Sequence, residues 1–255
     1  MPVPLLPFAA PLRPARLLGR EKRFTVHVVL DGAPTAVHTN NTGSMLGLLR
    51  PGSRVWLSPA ANPARKLAWT LELCEFHGLP VGVNTRTPNR LLAAAWAAGA
   101  LPELAGYDRF RPEAKVGASR LDARLDGPAG ALWVECKNVT LVEDGAALFP
   151  DAATERGRKH LRELMALARA GDRVALFFCI QRTDAGCFAP AACVDPEYAD
   201  LFYEALAAGV EAWPYVAPPY FPPPSVAAPS VPPPSAAAPG PAGIGLGARL
   251  PVRPA

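Results

Sequence analysis

Apolar and polar positions alternate along this chain in two different regimes. Across residues 12–76, short runs rich in β-forming side chains are each closed by turn residues, which predicts a small all-β unit. Residues 24–30 read as a strand ended by Asp31-Gly32, with partners at 35–39, 54–58 and 67–75. A five-stranded barrel of the oligonucleotide-binding type fits this size, as do other small barrels. Two turn-rich stretches, residues 40–44 and 59–63, interrupt the strands with Asn, Gly and Pro.

From Thr87 the period changes. Thr87 is placed to cap a helix whose first residue is Pro88 and which stops at Gly99. Strand-like runs follow at 110–116, 119–125 and 131–140, the last two joined by a turn through Asp126-Gly127-Pro128. A helix capped by Thr154 and ended by Gly171 carries Leu161, Leu164, Met165 and Ala168 at i, i+3, i+4 and i+7. The apolar run 174–180 has the length and content of a strand buried on both faces. Asp195 then caps a last helix reaching about Ala208, and 210–215 predicts an edge strand. The order α-β-β-β-α-β is that of the restriction-endonuclease-like, or PD-(D/E)XK, core. The fold class expected is therefore α+β: an OB-like barrel over 12–80 after an extension of 1–11, then a nuclease-like domain over 81–215.

Composition adds a third region. Of 31 prolines in 255 residues, 14 fall from Pro214 onward, and Arg249 and Arg253 are the only charged side chains after Trp213. That composition predicts a proline-rich, disordered tail over 216–255. The prolines also forbid a membrane helix there. The net charge of +4 leaves nucleic-acid binding to the placement of basic residues, not to their sum. Five cysteines without a Cys-x-x-Cys pair, and no basic region ahead of the apolar N-terminus, predict a cytoplasmic protein with reduced thiols.

The candidate chemistry lies on the second and third strands of the second unit. Glu135 and Lys137, two apart on one strand, share a face, and Asp122 on the antiparallel neighbour lies level with Glu135. Two carboxylates suit Mg²⁺, which takes hard oxygen ligands beside waters and phosphate oxygens. Lys137 then has a role in orienting an attacking water and stabilising charge on the phosphorane. Asp122 and Glu135 are thus candidate metal ligands, and with Lys137 the candidate catalytic set, with Glu113 a further ligand and Gln181 either a neighbour of the site or the start of a loop. The plain alternative is an ordinary cross-strand salt bridge. Arg156, Lys159 and His160, with Glu163, fall on the side of their helix away from its apolar stripe, where the basic residues form a candidate phosphate-binding face. Arg23 and Lys66 are candidate nucleic-acid contacts on the barrel.

Long stretches, among them GREKRF, NNTGSMLGLLRPGSRVWLS, LPELAGYDRFRPEAKVGASRLD, LWVECKNVTL and LFPDAATERGRKHLRELM, resemble the sugar fermentation stimulation protein A family over residues 12–215. The resemblance implies the same barrel and nuclease-like domain. It implies DNA binding linked to sugar, especially maltose, utilisation, and a Mg²⁺- or Mn²⁺-dependent nuclease-type site. The family's two acids and lysine appear as Asp122, Glu135 and Lys137. Thr39 and Asn40 stand where the family usually has cysteine and proline, Val116 where it has an aromatic, and Cys136 where it has valine. The expected function is a DNA-binding protein with a Mg²⁺-dependent phosphodiesterase site; the rival is a non-catalytic DNA-binding regulator, and RNA remains an alternative partner.

Overall fold

The structure, a computed structural model, describes residues 5–117, 119–222 and 240–254. After an arm strand, β1 (Leu6–Pro7), the barrel is built from β2 (Arg13–Glu21), β3 (Thr25–Leu30), β4 (Ala33–His38), β5 (Arg54–Pro59) and β6 (Trp69–Phe76), with β7 (Leu79–Gly82) added at the edge. The strand order is β4-β3-β2-β5-β6-β7, and a parallel bridge between His38 and Thr70 joins β4 to β6 and closes the barrel. Val26, Val28 and Leu30 alternate inward along β3 and meet Leu17, Val37, Leu57 and Leu71 in one core. The β3–β4 hairpin turns on Asp31 and Gly32, both at positive φ (51° and 82°), as a two-residue turn of this hand requires. The fifth barrel strand, β2, carries Pro14, Gly19 and four charged residues, and the sequence pattern passes over it. Its Ala15 and Leu17 nevertheless point inward.

The second unit runs α1 (Thr87–Ala97), β8 (Arg109–Val116), β9 (Ser119–Gly127), β10 (Gly130–Val139), β11 (Leu141–Glu143), β12 (Ala146–Phe149), α2 (Glu155–Arg169), β13 (Arg173–Ile180), β14 (Cys187–Pro190), α3 (Pro196–Ala207) and β15 (Glu211–Val216). Its main sheet has the order β15-β13-β10-β9-β8, antiparallel across β8, β9 and β10 and parallel from β10 through β13 to β15. The predicted α-β-β-β-α-β order is present. α1 covers one face of the sheet with Leu91, Leu92 and Ala95, while α2 and α3 cover the other with Leu161, Leu164 and Phe202. β13 is buried from Val174 to Ile180, as its uninterrupted apolar run requires. A small sheet, β11-β12-β14, is an addition that the sequence pattern does not announce.

Two expectations need correction. α1 begins at Thr87 itself: Arg86 occupies the cap position without a side-chain cap, and Asn84 Oδ1 instead accepts the Arg86 N–H (3.0 Å). The disordered tail is also wrong where it is described. β16 (Pro219–Tyr220) and β17 (Gly243–Ile244) pair with each other, and β17 pairs with β1 on its other side. Ile244 is buried in the core under α1, Arg249 ion-pairs with Glu103 (2.8 Å), and Arg253 N–H donates to Phe188 O (2.8 Å). Apolar side chains at Ile244, Leu246, Leu250 and Val252 anchor this strap, a pattern hidden by the surrounding prolines and glycines. Residues 223–239 lie outside the described residues.

Candidate functional site

β9 and β10 pair only as far as Ala123 and Val134, and the sheet opens beyond that point. Asp122 fills the gap with its side chain: Oδ2 accepts the Cys136 backbone N–H (2.8 Å), and Oδ1 accepts Asn89 Nδ2 from α1 (2.7 Å). Glu135, the next inward carboxylate, is 3% exposed. Its Oε1 accepts Lys137 Nζ (2.8 Å) and a very short bond from His160 Nδ1, while its Oε2 is buried with no hydrogen-bond partner. A cleft of about 640 Å³ opens over these groups, with Arg86, Asn89 and Arg90 from the start of α1, Glu113 from β8, and Arg156 from α2 in its wall.

The two carboxyls are pushed in opposite directions. Burial and the neighbouring Glu135 charge raise Asp122 above the usual carboxylate range. Burial opposes ionisation of Glu135 as well, but Lys137 and His160 outweigh it and bring its pKa to about 2. Glu135 is therefore the standing anion of the site, and Asp122 is the carboxyl whose charged form is disfavoured. Arg156 Nε lies 3.5 Å from His160 Nε2, so the guanidinium faces that nitrogen as donor and the ring proton is assigned to Nδ1, aimed at Glu135.

The barrel contributes a loop. Asn41 is buried, its Oδ1 accepting Gly43 N–H (2.9 Å) and its Nδ2 donating to Val83 O (3.1 Å). Arg20 clamps the same loop by donating to the carbonyls of Asn41 (3.0 Å) and Gly43 (2.7 Å). Across the cleft, Asp151 Oδ2 accepts Met45 N–H (2.9 Å) and Ser44 Oγ (3.0 Å), latching the barrel to the second unit. A Cβ on Gly43 would sit 3.1 Å from Asn41 Oδ1 and 3.2 Å from Asp151 Oδ1, so this glycine is set by close approach. The two departures beside it have structural work: Thr39 Oγ1 accepts Asn41 N–H (3.2 Å), and Asn40 Nδ2 donates to Asn84 Oδ1 (2.6 Å).

Of the residues singled out from sequence, Asp122, Glu135, Lys137, Glu113 and Arg156 line the cleft. Glu113 sits at positive φ (49°) and ion-pairs with Arg120 (2.8 Å). The expected basic helix face divides: His160 is buried against Glu135, while the Lys159 side chain is 63% exposed and 3.7 Å from Glu163. Its i, i+4 relation to Leu164 and i, i−3 relation to Gly157, both buried, is the signal that places His160 inside. Arg23 and Lys66 are exposed on the barrel and line neither large cleft. Gln181 is fully buried, donates to Asn138 Oδ1 (3.0 Å) and packs against Gly82, so it joins the two units and does not enter the site. Asn89, Asp151 and Arg20 escaped the sequence reading, because each acts through a single loop or backbone contact without a periodic signature. Among the described residues, no three His, Cys, Asp or Glu side chains form a ready metal cage. No helix among them is long and apolar enough to cross a membrane.

Comparison with known proteins agrees with this division. Residues 18–83 match the SfsA N-terminal OB domain, and residues 86–218 match the sugar fermentation stimulation protein RE domain. The sugar fermentation stimulation protein homolog of Maridesulfovibrio salexigens is 61% identical over 206 residues, 80% of this chain and 86% of that protein. The homolog of Syntrophobacter fumaroxidans is 60% identical over 203 residues, 80% of this chain and 78% of that protein. Among solved structures, Pyrococcus furiosus SfsA in complex with Ca²⁺ superposes with a TM-score of 0.85 at 28% identity, covering 99% of this chain and 100% of that one. An OB barrel joined to this α/β unit, matched over both parts, makes the chain a member of the sugar fermentation stimulation protein family.

Proposed function

We propose that this protein binds DNA and hydrolyses phosphodiester bonds, with a divalent cation, Mg²⁺ or Mn²⁺, held by Asp122 and Glu135. The observation that carries this reading is Glu135 Oε2, an acceptor buried in the cleft wall with no hydrogen-bond partner, beside a second buried carboxyl. A buried charged acceptor without a partner costs stability, and a cation supplies the missing partner. Two protein carboxylates suit Mg²⁺, which keeps several waters and phosphate oxygens, so the lack of a three-ligand cage fits this ion. The Ca²⁺ complex of the Pyrococcus protein supports a divalent site in this fold. Such a cation supplies Lewis acidity to the phosphodiester and lowers the pKa of water beside it.

The chain's own groups do the rest. Asn89 and the Cys136 N–H fix Asp122, and His160 fixes Glu135 through Oε1, leaving Oε2 without a hydrogen-bond partner. Lys137, held by Glu135, orients the attacking water and offsets negative charge gathering on phosphorus. Arg86, Arg90 and Arg156 hold the flanking phosphates, and Glu113, ion-paired with Arg120, is a further carboxylate in the wall. The five free thiols suit a protein working in the cytoplasm.

Cleavage of single- and double-stranded DNA and RNA with Mg²⁺ or Mn²⁺ tests the proposal. Glu135→Gln and Lys137→Ala are each expected to lower the rate by roughly 100-fold or more. Cleavage that survives both substitutions overturns the catalytic assignment. DNA binding without cleavage under any of these conditions selects the non-catalytic regulator of sugar-utilisation genes instead.

A further inference from the structure

A second cleft of about 590 Å³ lies on the barrel side of α1, and Arg86 and Arg90 line both clefts. Its floor is a prearranged polar network: buried Glu72 accepts Ser58 Oγ (2.6 Å) and Asn84 Nδ2 (2.7 Å), and Thr70 Oγ1 accepts Arg65 Nη2 (2.8 Å). Arg65, Arg86 and Arg90 stand around it, and among the described residues none of the three is in an ion pair. His38, half-buried, lines the same cleft and stacks on Phe24 (centroids 6.2 Å apart, planes 13° apart), a residue 51% exposed at the β2–β3 turn just outside the cleft lining. Burial and the charges of Arg65 and Arg86 hold His38 below its usual pKa, so the stack presents a neutral ring.

The outer wall comes from outside the residues matched to the family. Phe8, Ala9 and Ala10 line the cleft, ahead of the matched barrel residues 18–83. This arm is held by the strap: Phe8 N–H donates to Ala242 O (2.9 Å), and β1 pairs with β17 at Leu6–Ile244 and Pro7–Gly243. The strap lies beyond residue 218, where the match to the second family domain ends.

We propose that a single strand of nucleic acid runs from this second cleft, past Arg86 and Arg90, into the carboxylate cleft, with the strap-held N-terminal arm as the outer wall of its path. This rests on the nucleic-acid reading of the first cleft. Two clefts that share the guanidinium groups of Arg86 and Arg90 suit a ligand carrying successive phosphates, which a lone phosphate ester is too short to span. Cavities of this size admit one extended strand with its bases against aromatic faces, not a duplex. Exposed Phe24 stacked on half-buried His38, with Arg65, Arg86 and Arg90 around the cleft, supplies both the base platform and the backbone charges such a strand needs.

Fluorescence anisotropy of the full chain with labelled oligothymidylates of roughly 4 to 16 nucleotides, the site-size range of such barrels, tests this. Affinity is expected to rise with length and fall with salt. Phe24→Ala and Arg65→Glu are each expected to weaken binding roughly ten-fold. The exposed Ala9 provides a pair that leaves packing alone: Ala9→Glu is expected to weaken binding and Ala9→Lys to strengthen it. Wild-type protein that binds no oligonucleotide at any length overturns the nucleic-acid reading itself. Binding that is unchanged in Phe24→Ala, Arg65→Glu and both Ala9 variants, with melting temperatures preserved, overturns this path alone. A duplex bound as tightly as the single strand of equal length overturns the single-strand assignment.

Discussion

Asp195 ties together the starts of two helices. Its Oδ1 caps α3 by accepting Tyr198 N–H (3.0 Å), its Oδ2 accepts Thr154 N–H (2.8 Å) at the start of α2, and Arg158 Nη1 lies 2.9 Å from both oxygens. Burial opposes its charge, but these donors outweigh it and hold its pKa below the usual value. Asp195→Ala removes the α3 cap and the acceptor of the Thr154 N–H, and leaves the partly buried Arg158 with only the exposed Glu197 as partner, a loss of about 3 kcal/mol. Thermal unfolding is expected to show a melting temperature lower by roughly 6–12 °C. Because the folded pKa is depressed, this stabilisation is complete above the unfolded value of about 3.9 and is lost as pH falls through the folded value. The gap between wild type and Asp195→Asn in melting temperature is therefore expected to hold from pH 7 to pH 5 and to shrink below about pH 4. Gly127 is constrained differently: a Cβ there would lie 2.2 Å from Gly106 O and 2.8 Å from Tyr107 Cα. Both are backbone atoms and cannot rotate away, so Gly127→Ala is expected to cost about 1–3 kcal/mol in denaturant titration.

At the level of elements, what the sequence shows depends on whether the signal is local. The Asp31-Gly32 hairpin, the Thr154 and Asp195 caps and the apolar stripe of α2 all appear where the pattern puts them, because each is decided within a few residues of itself. The spacing of Glu135 and Lys137 is legible for the same reason, as strand alternation alone puts them on one face. β2 is not, since Pro14 and Gly19 weaken its local preference and its place is decided by β3 and β5 on either side. β17 has only two residues, one of them Gly, too short a run to announce a strand, yet partners on both edges hold it. Ile244→Ala is expected to cost about 2–5 kcal/mol and to raise hydrogen exchange at Phe8 and Ala242 ahead of global unfolding. Equal protection in variant and wild type at those two amides would show that the arm is held elsewhere.

Over the whole molecule, the barrel and the α/β unit share one site instead of dividing two tasks. The barrel's Asn41 loop, the start of α1 and the sheet all face the first cleft, and Asp151 ties the loop across it. Gln181 against Gly82, and Arg182 stacked 4.2 Å over Phe76, add a second seam. Asp151→Ala leaves the Met45 N–H without its charged acceptor, at a cost of about 1–3 kcal/mol. Calorimetry is expected to show the single unfolding transition broadening towards two as the barrel loosens from its neighbour. A variant that still melts in one sharp step at the wild-type temperature would assign the coupling to the Gln181 and Arg182 seam. None of this coupling is legible in the sequence, because each contact joins residues more than 95 positions apart and leaves no periodic trace.

The pairing of β1 with β17 also sets an order in time. Leu6 precedes the barrel, the sheet and α1, α2 and α3 along the chain, but its strand partner Ile244 follows them all. Contacts separated so far along the chain pay the largest loop-closure entropy and form late. A nascent chain can thus complete the carboxylate cleft before the arm beside the second cleft has anything to hold it. The wall that Phe8, Ala9 and Ala10 give the second cleft is then fixed only after the rest of its lining is in place.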